Sequence, residues 1–362
     1  MVEHLYVHIP FCPKICPYCS FYKEASDRNK TRPFLEAVLR EAENFAGVLR
    51  PRTVFFGGGT PTALTPEQLE FLLRGLHERL DLGGVEEWTM EMNPATVSRE
   101  KGMLLRELGV NRVSMGVQAW QPELLQTLGR VHTASQAERS YFLLREAGFD
   151  NVNLDLIFGV PGQTTEQWMD SLRRTAELKP EHISAYCLTY EEDTAFFESL
   201  QRGEFRIEEE RDAELLLLTL EQLAAVGYEG YEISNFARPG RRCAHNLAYW
   251  QGNDYVGLGP SAFSTVGEKR WRNVRDTALY TETALAGKAA VDFSEEVTPT
   301  MRQHERLAFG LRLSDGVPVE WIDATKSTRL AAAGLLEEKD ARWRITPAGR
   351  LVVDEVAAEV WE

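Results

Sequence analysis

The stretch Leu5-Tyr6-Val7-His8-Ile9-Pro10-Phe11-Cys12-Pro13-Lys14-Ile15-Cys16-Pro17-Tyr18-Cys19 decides how this chain is read. Its first five residues are a short apolar run that reads as a β-strand. Three cysteines follow, Cys12, Cys16 and Cys19, spaced C-x3-C-x2-C. The set is one thiolate short of a closed four-ligand site. Iron–sulfur clusters are held by cysteine thiolates, normally four, so three predict a cluster with one iron open to another group. Zinc is a competing reading, because it takes four Cys or His ligands at such spacings and His8 could be the fourth. A disulfide framework is the third, although five cysteines in 362 residues are sparse and odd in number. With no secretory h-region ahead of them, the expected compartment is the reducing cytosol.

Moving outward, apolar β-branched runs alternate with helical periodicity through the first half of the chain. Strands are expected over residues 6–9, 54–56, 88–92, 113–117, 152–157 and 183–188, and helices over 33–49, 66–80, 98–108, 135–147 and 166–178. Thr65-Pro66-Glu67 and Thr164-Thr165-Glu166 carry helix-start chemistry. This rhythm predicts an α/β fold of parallel strands with helices outside. Six units are too few for an eight-stranded barrel and suit a partial barrel or an open doubly wound sheet. The polar motifs all fall at strand ends: the cysteines, Gly57-Gly58-Gly59-Thr60-Pro61-Thr62, Glu91-Met92-Asn93-Pro94, Gly116-Val117-Gln118, and Asp155 before Gly159-Val160-Pro161-Gly162. Ligands bind at the carboxyl ends of parallel strands, so these motifs predict one shared site. The triple glycine is not a phosphate loop, because no Gly-Lys-Ser/Thr follows it.

The bulk numbers narrow the class. With 43% hydrophobic and 26% charged residues the chain reads as an ordered globular protein. No apolar run approaches the length of a membrane span. A net charge of −15 argues against general nucleic-acid binding, which depends on neutralising phosphates. Three units are expected: 1–235 as the barrel core, 236–298 as an aromatic and glycine-rich connecting region, and 299–362 as a winged-helix-like domain. Residues 301–362 hold 9 Lys/Arg against 11 Asp/Glu, so the last unit is expected to pack or dock on protein, with no nucleic acid as partner.

The cysteine segment resembles the radical S-adenosylmethionine (SAM) superfamily, with Tyr18 as the aromatic just before the last cysteine. The resemblance implies a partial (β/α)6 TIM-like barrel in which Cys12, Cys16 and Cys19 bind three irons of a 4Fe-4S cluster. The amino and carboxylate groups of SAM would chelate the fourth iron, and reductive cleavage of its sulfonium gives a 5′-deoxyadenosyl radical. By the same resemblance Gly58, Gly59 and Thr60 receive the methionyl amino group. Glu91 and Gln118 meet the ribose and amino-acid portions, Tyr6 and Tyr18 the nucleoside end, and Arg130 and Asp155 match further SAM-contacting positions. Read without the family, the alternative for Glu91 and Asp155 is a carboxylate capping a loop amide, and for Arg130 a solvated charge.

From about residue 5 to the C-terminus the chain is similar to two related branches of that superfamily, the oxygen-independent coproporphyrinogen III oxidases and the HemW heme chaperones. Three features point to the chaperones. Phe21 stands where the oxidases have a fourth cysteine. The chain reaches its first strand within five residues, where the oxidases carry an N-terminal extension. Finally, His245-Asn246-Leu247-Ala248-Tyr249-Trp250 matches the HNxxYW motif associated with heme binding. The resemblance implies a heme carrier rather than an enzyme, with a 4Fe-4S cluster, SAM and heme as cofactors. It also implies acceptor heme proteins as partners, membrane respiratory enzymes among them. His245 is expected as an axial iron ligand, since imidazole commonly supplies that bond, with Asn246, Tyr249 and Trp250 around the porphyrin. Cys243 is expected to be a buried thiol. The alternative is radical SAM decarboxylation of coproporphyrinogen III.

Overall fold

The computed structural model describes residues 1–361. Six strands, β1 (Val2–Ile9), β2 (Leu49–Gly58), β3 (Glu87–Met92), β4 (Arg112–Gln118), β5 (Val152–Phe158) and β6 (His182–Cys187), run parallel and lie side by side in chain order. Between them come α1 (Arg28–Glu43), α2 (Pro66–Arg79), α3 (Arg99–Glu107), α4 (Ala134–Glu146) and α5 (Thr165–Glu177). Crossover helices between successive parallel neighbours, which follow one hand as a rule, put these five helices on the same face, in one core with the apolar side of the strands. The sheet then curls around its other face into a partial barrel.

Alternation along the strands sorts the side chains between those faces. Val7, Val54, Trp88, Met90, Val113, Met115, Leu154 and Ile183 are buried in one apolar core with Leu35, Leu72, Leu105, Leu144 and Leu172 of the helices. The opposite parity is polar: Tyr6 pairs with Phe55, Thr89 with Arg112, Glu91 with Ser114, Gly116 with Asp155, and Asn153 with His182. Strands buried on both faces usually read as continuous apolar runs. Here one face is reserved for polar contacts.

The helix starts follow from local chemistry. Thr65, Thr133 and Thr164 each accept from the backbone of a glutamine three residues on, whose side chain accepts from the threonine's own N–H. α1 departs from the expected 33–49. Asp27 accepts from Asn29 N and starts the helix ahead of Pro33, while Leu49 is already the first residue of β2. A capping aspartate outweighs the preference of proline for the first turn.

The stretch 236–298 is more ordered than a connecting loop. It supplies β7 (Asn235–Ala237, antiparallel to β6) and β8 (Val256–Leu258, parallel to β1), which extend the sheet at both ends. It also holds a separate three-stranded sheet, Phe263–Val266, Lys269–Asn273 and Val291–Glu296. Strands of three residues carry too little periodicity to read from sequence. Helix α6 (Glu209–Ala225) precedes β7, and α7 (Ala244–Trp250) lies between β7 and β8. The last unit runs helix Pro299–Gly310, strand Val317–Pro318, helix Ala324–Ala332 and hairpin Leu336–Lys339/Arg342–Ile345, around its own core of Leu307, Leu311, Val317, Leu330 and Val356. That is a winged-helix-like order.

Candidate functional site

The cysteine loop is pinned at both ends. Phe11–Cys12 pairs in parallel with Glu24–Ala25, and Cys19 N donates to Cys16 O at 3.3 Å. The glycine run is laid against it: Gly59 N donates to Ile9 O at 2.8 Å and Thr60 N to Phe11 O at 2.9 Å. Only glycine fits here. Gly58 has φ +106°, and a Cβ on it would sit 2.4 Å from the His8 ring; one on Gly59 would sit 2.6 Å from Pro10 O. Gln118, at the end of β4, holds φ +68° beside a register shift in the β4–β5 pairing. Strain of this kind in a non-glycine residue clusters at ligand sites.

These features meet in one cavity of about 520 Å3 at the carboxyl ends of the strands. Cys12, Cys16 and Cys19 line it, with Tyr6, Tyr18, Gly58, Gly59, Thr60, Glu91, Gln118, Arg130 and Asp155. Thr60 Oγ1 lies 3.6 Å from Cys12 Sγ, and Arg130 donates to Cys16 Sγ at 3.5 Å and to Gly116 O at 2.7 Å. Burial pushes up the Cys12 and Cys19 thiols, so metal binding there must displace protons. Burial, and then the Asp155 carboxyl, push Glu91 up to about 8; the Gly58 N–H and Arg112 offset part of this. Asp155 is also raised by burial, against hydrogen bonds from Ser184, Asn153 and Ser114. The cavity therefore presents carboxyl groups to a ligand bearing hydroxyl or ammonium donors.

His8 is not free to complete a zinc site. Its Nδ1 lies 3.0 Å from Tyr6 OH and its Nε2 2.8 Å from Tyr22 O, and burial lowers its pKa to about 4. All five cysteines are free thiols. Among the described residues no three His, Cys, Asp or Glu side chains converge on a point for a single ion. Cys12, Cys16 and Cys19 all line the one cavity, and an iron–sulfur cluster takes its thiolates on separate irons.

The HNxxYW residues divide. α7 packs against the polar face of β2, where Thr53 and Phe55 project, and its N-terminus is held by Glu87 of β3. Asn246, Tyr249 and Trp250 line a second cavity, of about 710 Å3. Tyr255 and Phe263 also line it, as do Arg302, Glu305, Phe309 and Val353 of the C-terminal unit. The Trp250 and Phe309 rings meet edge to face at 6.0 Å. His245 lines neither cavity and is 1% exposed. Asn246 and Tyr186 line both.

Two residues escaped the motif reading. Arg112, fully buried against the cysteine-lined cavity, leaves its Nε unpartnered. Tyr186 stands between the cavities. The polar alternation of β3 to β6 is the sequence signal that could have found both.

Residues 6–175 match the radical SAM superfamily and residues 297–352 the HemN C-terminal domain. The heme chaperone HemW of Bacillus subtilis (strain 168) is 35% identical, with 98% of each chain covered. That of Escherichia coli (strain K12) is 33% identical over 97% of this chain and 96% of its own. The chain belongs to the HemW family. Among solved structures, the radical SAM enzyme coproporphyrinogen III oxidase (HemN) from Escherichia coli superimposes with a TM-score of 0.86 at 25% identity, covering 99% of this chain and 90% of that one. The radical SAM scaffold of the HemW family implies a 4Fe-4S cluster and SAM, and the cavity-lining thiols, glycines and carboxyl groups fit both.

Proposed function

We propose that this chain is a heme chaperone that holds heme in the 710 Å3 cavity and passes it to acceptor heme proteins in the cytosol or at the membrane. The observation that carries this reading is the second cavity itself. It is separate from the cysteine loop, walled by Asn246, Tyr249 and Trp250 of the HNxxYW helix, and completed by Phe309 of the C-terminal unit. Its volume falls within the usual range for a cofactor pocket, and aromatic walls suit a flat macrocycle. Cys12, Cys16 and Cys19 would hold the cluster, whose chemistry when bound would be one-electron reduction of a sulfonium. Gly58, Gly59 and Thr60 would hold the amino-acid end of SAM, Glu91 its ribose, and Arg130 would brace Cys16. Phe21, 66% exposed at the mouth of the cluster cavity, cannot act as a fourth thiolate.

The test is a visible-absorbance titration of anaerobically reconstituted protein with heme, beside Trp250→Ala. Saturation near one heme per chain, weakened in the variant, is the expected result. Absence of saturable binding, together with turnover of coproporphyrinogen III when SAM and reductant are present, would transfer the chain to the oxidase reading.

A further inference from the structure

The histidine of the HNxxYW helix has no free ring nitrogen. His245 Nδ1 lies 2.7 Å from Thr53 Oγ1, and Nε2 lies 3.2 Å from Tyr249 OH. Thr53 Oγ1 is in turn 2.9 Å from His4 Nδ1. The His245 ring stacks on Phe55, with centroids 5.2 Å apart, and meets Tyr249 edge-on at 4.9 Å. Its backbone N–H donates to the Glu87 carboxylate at 3.0 Å. Swinging out to meet an iron would leave buried partners unpaired, each then carrying its full desolvation penalty. Burial also holds the imidazole neutral, with its pKa lowered to about 3, so it packs as an uncharged ring.

We propose that His245 is a positioning residue and not an iron ligand: it is the hub of a buried column, His4–Thr53–His245–Tyr249, that fixes Tyr249 in the wall of the 710 Å3 cavity. The cargo in this statement rests on the heme-carrier reading above; the column itself does not. Position i to i+4 places Tyr249 on the same helix face as His245, which is why one side chain can hold the other. Thr53 has a single hydroxyl hydrogen, so the column has two consistent orientations. Either Thr53 donates to His245 Nδ1 and Nε2–H donates to the phenol oxygen, or Nδ1–H donates to Thr53 and the phenol donates to Nε2. Both nitrogens are used in each orientation.

The experiment compares wild type, His245→Gln, His245→Ala and Tyr249→Phe. Each is titrated with heme, and the absorption spectrum and electron paramagnetic resonance of the saturated ferric complex are recorded. Glutamine offers a donor and an acceptor near the positions of the two nitrogens. His245→Gln is expected to keep the wild-type spectrum and spin state, with affinity within about threefold (about 0.7 kcal/mol). His245→Ala and Tyr249→Phe are each expected to bind about tenfold more weakly, and added imidazole should not repair His245→Ala. A changed spin state in His245→Gln, or recovery of the wild-type spectrum by imidazole in His245→Ala, would overturn the proposal. A second measurement needs no heme. Proton NMR should show one slowly exchanging proton in the His245–Tyr249 link of wild type, on Nε2 or on the phenol according to the orientation, and the matching amide or phenol proton in His245→Gln, absent from the other two. Its absence from wild type overturns the column. Its presence in a wild type that binds no heme keeps the column and sinks the carrier reading.

Discussion

Glu91 faces the cysteine-lined cavity with its carboxyl pushed up to about 8, and burial is the larger cause. An unfolded chain ionises the same group near its ordinary value. Between about pH 4.5 and pH 8 the folded state therefore binds more protons than the unfolded one, and stability falls as pH rises through that window. Glu91→Gln mimics the protonated form and removes the penalty. In thermal melts of the cluster-free protein the two should unfold together near pH 5. By pH 8 the variant should unfold several degrees higher, and a gap that fails to grow would refute the buried-acid account. Glu91 itself was legible in the sequence, because it belongs to a contiguous motif at a strand end. Its protonation was not, since that depends first on burial inside the folded sheet and then on Asp155, which reaches it only through the sheet register, with Arg112 opposing. His245 shows the same limit more sharply. The motif names the residue, but Thr53 and His4, which engage it, lie about 190 and 240 residues away in the chain.

At the scale of elements, α7 depends on a strand remote from it in sequence. Glu87 of β3 accepts from Ala244 N at 2.9 Å and His245 N at 3.0 Å, and the Cys243 thiol donates to it at 3.3 Å. A carboxylate at a helix N-terminus satisfies unpaired amides and complements the helix dipole. Charge-assisted bonds of this kind contribute roughly 1.5–3 kcal/mol. Glu87→Ala should lower unfolding free energy by about 2–3 kcal/mol in chemical denaturation and weaken heme binding, while iron and sulfide content stay at the wild-type level. Loss of iron in this variant would mean that the helix supports the cluster cavity as well. The core strands and most of their helices were readable because period and capping chemistry agree over many residues. β7 and β8 were not, because three residues in the sheet carry their meaning only through neighbours already in place. The cap on α7 was hidden for the same reason: Cys243 offers no side-chain cap of its own.

At the scale of the whole molecule, two cavities open off one curved sheet and share a wall. Tyr186, at the end of β6, and Asn246, on α7, line both. Tyr186 is 40% exposed and lines both cavities, and its phenol is pushed far up by burial and then by the Asp155 carboxyl. An occupant that shifts either side chain on one side reshapes the other side. Coupling between two sites is a single free energy and must be reciprocal. Saturating SAM should therefore change the dissociation constant for heme, and saturating heme should change that for SAM by the same factor. A factor of about 5–150 is the ordinary range for such linkage. Tyr186→Ala, which opens the larger part of the shared wall and leaves Asn246 in place, should bring the factor toward one without abolishing either site. Calorimetric titrations of each ligand with and without the other measure all four constants. Equal heme affinity with and without SAM in the wild type would mean that the shared wall is rigid and that the two cavities act independently.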